Sequence, residues 1–256
     1  MMNHMKEKLD RGEPVIGTFF QMCYPGAVEA LGQTGLDFVV IDTEHGPFDT
    51  ETMAHMILAA EHTGLTPVVR IGDVTHKEIQ RAADLGAGGI IAPCLRQISD
   101  FHKLVSLAKF PPLGQRGYAL GRGSGYGYQS WADTPENYMH TSNERLMVIP
   151  QCETIECLES IEEVAAIDGI DAVFIGPYDL SVCLGIPTRF EDPVFKAALK
   201  RIKNACDNAG KPVLIYTASI EKARQYLKEG YQGIAHNTDT NTLIQGYRQQ
   251  LEEILR

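Results

Sequence analysis

The chain has 256 residues, 44% of them hydrophobic and 22% charged, so it can bury a sizeable core, and one domain over 1–256 is expected. Its net charge is −10, from 23 basic and 33 acidic residues, which argues against a nucleic-acid surface. Apolar runs such as Phe38–Ile41 and Gly88–Ala92 are far below the ~20 residues that span a bilayer, and the opening MMNHMKEKLD has no apolar signal-peptide core. A cytoplasmic protein with no membrane contact is the expectation.

In chain order, short β-branched runs alternate with amphipathic ones. Strands are expected at Val15–Phe20, Phe38–Asp42, Pro67–Ile71, Gly89–Pro93, Leu146–Gln151, Ala172–Ile175, Pro212–Tyr216 and Gln232–His236. Helices are expected at Pro25–Gly32, Thr50–Thr63, His76–Leu85, Ser99–Lys109, Ile155–Ile167, Pro193–Ala209, Ile220–Glu229 and Asn241–Leu255. Several strands are nearly continuous hydrophobic runs, as in parallel sheets covered by helices. Eight such units in about 250 residues match an α/β (β/α)8 TIM barrel. The alternative, a doubly wound sheet, usually has fewer strands, and no G-x-G-x-x-G follows the first one.

Two segments depart from the repeat. Residues 110–145 hold the Gly-rich text GQRGYALGRGSGYGYQSW, and a loop this long is usually functional or a lid. The last helix carries Leu243, Tyr247, Leu251 and Leu255 at a spacing of four, a stripe that must be covered by its own barrel or by a neighbouring subunit. The six cysteines form no C-x-x-C pair and read as reduced thiols, mostly core filler.

Chemistry in such barrels sits at the C-terminal ends of the strands. There the second strand ends in Asp42, Glu44 and His45, and the third in Arg70. The fifth strand ends VIPQCET, so alternation points Gln151 and Glu153 the same way. The sixth runs into Gly176-Pro177, and Asp179 begins a short helical turn. Bland roles exist for each residue. Asp42, Asp179 and Glu153 could cap helices or turns, His45 could be a satisfied loop histidine, and Arg70 could pair with Asp42 or Glu44. Their coincidence at four strand ends is the signal.

Glu153 and Asp179 with neutral Gln151 make an oxygen-rich site that suits Mg²⁺ or Mn²⁺. Neutralised by two carboxylates, such an ion could accept a chelating 2-keto acid, with Arg70 offsetting the charge of its enolate. His45 is the natural proton shuttle. An imine-forming aldolase would need a lysine at a strand's C-terminal end, and none of the eleven lysines is there.

At these residues the sequence resembles the HpcH/HpaI family of class II pyruvate aldolases, in the phosphoenolpyruvate/pyruvate barrel superfamily. The matching text is IDTEHGPFD, VVRIG, RAADLGAGGIIAP, KFPPLGQRG, VIPQCET and VFIGPYDLS, from about Gly17 to Ile186. The resemblance implies an aldehyde-lyase of the type that acts on 4-hydroxy-2-oxoheptanedioate or 2-keto-3-deoxy sugar acids. It would release pyruvate and an aldehyde with Mg²⁺, Mn²⁺ or Co²⁺. It implies metal ligation by Glu153 and Asp179, acid/base work by His45, enolate stabilisation by Arg70 and pyruvate contact by Gln151. It also implies a substrate contact from the Tyr178 backbone N–H, where relatives often carry alanine. Asp84 would pair with His45, although its place near a helix end puts it toward the other face of the barrel. Hexamers in which the last helix packs on a neighbour are implied as well. His236 and Asn237, in GIAHNTDTN, depart from the family's apolar eighth strand.

Two further readings compete. An acyl-CoA lyase of the same superfamily would need a basic groove, for which the long loop offers Arg116 and Arg122. A catalytically silent barrel that binds a keto acid, or serves as an oligomeric scaffold, is the other.

Overall fold

The computed structural model describes residues 3–256, in which eight parallel strands close into a barrel in chain order. They are β1 (Val15–Phe20), β2 (Phe38–Asp42), β3 (Thr66–Arg70), β4 (Gly89–Ala92), β5 (Met147–Cys152), β6 (Val173–Ile175), β7 (Val213–Thr217) and β8 (Gly233–Thr238). All eight expected strands form, none with an end displaced by more than two residues.

Alternation along these strands builds two cores. Outward residues such as Val39, Ile41, Val69, Ile90 and Val148 pack under the helices. Inward residues such as Phe38, Val40, Val68, Ile91, Ile149, Phe174 and Leu214 fill the barrel itself. The same period carries one step further up each strand. Above Val40 comes Asp42, above Val68 comes Arg70, and above Ile149 comes Gln151. The polar groups of the mouth are therefore the last layer of the barrel interior.

The surrounding helices are α1 (His4–Asp10), α2 (Pro25–Leu31), α3 (Thr50–His62), α4 (His76–Leu85), α5 (Ile98–Ala108) and α6 (Pro135–Arg145). They continue as α7 (Ile155–Glu159), α8 (Ile161–Ala166), α9 (Pro177–Cys183), α10 (Pro193–Asn208), α11 (Ile220–Lys228) and α12 (Asp239–Ile254). Side chains of Asp49, Thr75, Thr154 and Thr238 cap α3, α4, α7 and α12 by accepting first-turn N–H bonds. Gly86 stops α4 in the left-handed region, with φ 104°.

Three differences from the sequence reading have plain causes. Helix α1 shows no long stripe, because only Met5 and Leu9 are buried; both plug the bottom of the barrel interior. The expected helix over 155–167 breaks at Ser160 into α7 and α8. The segment 110–145 contains two short 3₁₀ turns and α6, whose polar text PENYMHTSNER hides its periodicity.

That long segment is not a lid on its own chain's C-terminal mouth. Arg116 binds Asp84 at the end of α4, and Arg122 binds Glu61 and the Leu85 carbonyl. Asn143 clasps the backbone of Phe110, and Lys109 holds the Leu146 carbonyl below β5. The segment thus closes the N-terminal end of the barrel. Helix α12 leaves Leu243, Tyr247 and Leu251 each more than half exposed, so its apolar stripe is not covered by its own barrel. Among the described residues no helix is long and apolar enough to cross a membrane.

Candidate active site

At the C-terminal mouth lies a cavity of about 300 Å³, lined among others by Gln21, Asp42, His45, Arg70, Gln151, Tyr178 and Asp179. Its floor is aromatic. Phe19 meets Phe174 and Tyr216 edge-on, at centroid distances of 5.8 and 5.6 Å.

Register places Asp42 beside Arg70 on adjacent strands. Arg70 donates to both Asp42 oxygens at 2.8 Å, a planar fork-to-fork pair, and a third nitrogen lies 3.2 Å from Glu44 Oε2. Its guanidinium carbon sits 4.7 Å from the Phe19 ring centroid. Asp42 is wholly buried and also accepts from Gln21 Nε2 at 2.9 Å and from the His45 N–H at 3.3 Å. Burial alone would raise its pKa, but the bonds from Arg70, Gln21 and His45 outweigh it and hold the carboxyl below its usual range. Gln21 is fixed in turn, because Asp239 Oδ2 accepts the N–H groups of Gln21 and Met22 at 3.0 and 2.9 Å.

Behind the lining residues Gln151 and Gly176, Glu153 is buried at 3% exposure. Its Oε1 accepts the Cys94 N–H at 2.6 Å, from a residue held at φ 59°, and its Oε2 accepts from Gln151 Nε2. This leaves Gln151 Oε1 buried with no partner. Gly176 makes room for both, since a Cβ there would stand 2.7 Å from Glu153 Oε2 and 2.8 Å from Gln151 Nε2. Three residues on, Asp179 lies exposed in the first turn of α9 and lines the cavity. It caps nothing, for the N-cap of α9 is Gly176, and Thr154 rather than Glu153 caps α7. The convergence of charge is visible at Cys94. Burial first, then Glu153, Glu44 and Asp179, push its thiol up to about 11. Glu44 is also raised, by burial foremost, against the lowering pull of Arg70 and His45.

The residues present fit a hard divalent cation. Two carboxylates and an orphaned amide oxygen offer oxygen donors, and carboxylates outnumber the one guanidinium. Among the described residues no group of three or more His, Cys, Asp or Glu gathers around a point, so substrate and water would complete any coordination shell.

His45, its side chain 61% exposed at the rim, has Glu44 Oε2 at 3.8 Å from Nε2. Asp84 is not brought to it. Asp84 accepts from Arg116 Nη2 at 2.8 Å in the last turn of α4, at the opposite mouth. Tyr178 projects from α9, packing on Phe190 and Tyr216. His236 does not enter the site; its Nδ1 lies 3.0 Å from the Thr217 carbonyl, and Asn237 of β8 donates to Gln245 and accepts from Asn241, both on α12. Sequence reading missed Gln21, Asp239 and the aromatic floor. Gln21 follows the first strand directly, a position that could have drawn attention.

No lysine lines the cavity, among the described residues. The most buried one, Lys109, has its pKa lowered by burial, yet it lies at the other mouth, held by the carbonyls of Asn143 and Leu146 and by Asp171.

Known proteins resemble this chain over nearly its whole length. Residues 16–246 match the family model for HpcH/HpaI aldolase/citrate lyase. A hydroxypyruvate/pyruvate aldolase of Paraburkholderia phytofirmans is 30% identical, over 98% of this chain and 97% of its own. A 4-hydroxy-2-oxo-heptane-1,7-dioate aldolase of Klebsiella pneumoniae is 32% identical, over 96% and 91%. The crystal structure of a family protein from Burkholderia cenocepacia superposes with a TM-score of 0.92 at 32% identity, covering all of both chains. The chain belongs to the HpcH/HpaI aldolase/citrate lyase family.

Proposed function

From that family membership we propose that the chain is a metal-dependent class II aldolase, cleaving a 4-hydroxy-2-keto acid reversibly to pyruvate and an aldehyde. The observation that carries the reading is the pairing of two unlike walls across one cavity. One wall is an arginine locked by a buried aspartate; the other carries Asp179 and Gln151, with a buried glutamate behind them and an amide oxygen with no partner.

Glu153 and Asp179 would hold Mg²⁺, Mn²⁺ or Co²⁺, and Gln151 would contact the keto acid beside it. Bound there, the cation supplies Lewis-acid polarisation of the keto acid's oxygens. The protein supplies the rest. Arg70 cannot swing away, because both of its bonds to Asp42 fix the guanidinium plane, so its charge is already aimed where negative charge grows on the 2-keto oxygen. His45 takes the proton of the C4 hydroxyl, directly or through one water. The C3–C4 bond then breaks, its electron pair moves into the enolate, and C3 regains a proton to give pyruvate. The Tyr178 backbone N–H, at the second position of α9, anchors the substrate carboxylate. The Tyr178 ring, with Tyr216 and Phe190, bounds the side on which the aldehyde would lie.

An acyl-CoA substrate finds less support, since Arg116 and Arg122 lie at the far mouth and do not line the cavity that holds Arg70. We also propose a homo-oligomer, a hexamer by family likeness, in which the bare stripe of α12 packs on a neighbour. The test of function is pyruvate release from a racemic 4-hydroxy-2-keto acid, with EDTA and then with Mg²⁺ or Mn²⁺ restored. Activity that chelator does not touch would sink the metal; none over a broad aldehyde panel would sink the aldolase.

A further inference from the structure

The N-terminal mouth of the barrel holds a second cavity, of about 190 Å³, lined among others by Arg116, Arg145, Trp131, Tyr138 and Ser142. That is room for a molecule of several heavy atoms, given on the order of 30 Å³ of liquid volume per water. Among the described residues, just three buried side-chain polar atoms lack a hydrogen-bond partner. Two of them belong here, Arg116 Nε and Arg145 Nη1. Arg116 is 7% exposed, and its guanidinium stacks 4.9 Å from the Phe110 ring while one nitrogen serves Asp84. Arg145 stacks 4.3 Å from the Trp131 ring and makes no ion pair among the described residues. Buried donors on charged groups are costly to leave unmet, and two on residues that line one cavity are harder to dismiss than one.

Charge points the same way. Asp84 is taken by Arg116 and Glu61 by Arg122, so Arg145 is the uncompensated cation of the cavity. Burial lowers its pKa, and Glu7 and Glu144 oppose that only at a distance. An anion in the cavity, beside Arg116 and Arg145, would give the two guanidinium groups a further acceptor and restore balance.

We propose that this cavity is a binding site for a small oxyanion, a carboxylate or a phosphate, held by Arg116 and Arg145 over Trp131. It lies at the opposite mouth from the reacting groups and does not depend on the chain being an aldolase. The arrangement carries its own reporter, since Trp131 is the single tryptophan of the chain.

The test titrates the full chain with sodium phosphate and, separately, sodium acetate, following Trp131 fluorescence and melting temperature. Ionic strength is matched by sodium chloride, which serves as the control. A saturable change with phosphate alone identifies a phosphoryl ligand, and with acetate a carboxylate. Either response should weaken at least tenfold in Arg145→Gln, with Arg145→Lys in between because it keeps charge but loses the planar fork. Arg145→Lys and the wild-type curves carry the test even where Arg145→Gln fails to fold. A linear response equal for all three salts, or saturation unchanged in folded Arg145→Gln, overturns the site and leaves a water-filled gap.

Discussion

The two mouths of the barrel are built from similar parts and left with opposite debts. At the C-terminal mouth Asp42, Glu44, Glu153 and Asp179 face one arginine, and the orphaned buried atom is an acceptor, Gln151 Oε1. At the N-terminal mouth Arg116, Arg122 and Arg145 face Asp84 and Glu61, and the orphaned atoms are donors. An ion pair by itself therefore says little about function. Arg70–Asp42 and Arg116–Asp84 are equally short, and what separates a reacting centre from a structural one is which groups remain unmet around the pair.

The largest effect expected is at the acidic mouth. Glu153→Ala and Asp179→Ala should each bring pyruvate release down to the level that EDTA leaves, while the melting profile survives; retained metal-stimulated activity in either would break the assignment of that wall. Arg70→Lys keeps the charge but not the fork, and kcat should fall by about 10²–10³, as when a preorganised oxyanion donor is lost. His45→Ala should lose a comparable factor of about 10²–10⁴ in rate yet still bind metal and pyruvate. If pyruvate binding falls equally, the histidine positions substrate rather than moving a proton.

Asp42→Asn should cost about 3–5 kcal/mol in urea unfolding at pH 7, because it strands a buried guanidinium. The sign with pH follows from its depressed carboxyl. The native contribution is present above the ordinary carboxylate pKa of about 3.9 and is lost as pH falls through the lower folded value. The gap between wild type and variant should narrow only in acid. The basic mouth gives the sharpest contrast. Met5→Ala removes the plug under the barrel interior and should cost about 2–5 kcal/mol in stability with kcat unchanged. A parallel loss of kcat would show that the mouths are coupled.

Much of this was legible in the chain. Short β-branched runs between amphipathic ones placed all eight strands, and strand parity carried Asp42, Arg70 and Gln151 onto the inner face above Val40, Val68 and Ile149. Parity says where a side chain points. It does not say what is left unpaired once neighbours arrive. Only the closed barrel showed that Asp42 saturates two bonds of Arg70, that Gln21 and Asp239 brace it, and that Gln151 keeps a bare oxygen. The long segment shows the limit most clearly. Its Gly-rich text suggested a functional loop or lid, yet it folds beneath the barrel, where Arg116 claims Asp84 within the chain. Strand and helix periods are local properties, fixed by backbone geometry and written every few residues. Which end of the barrel a 36-residue insertion covers is decided by contacts across dozens of residues, such as Arg122 to Glu61, and these have no period to read.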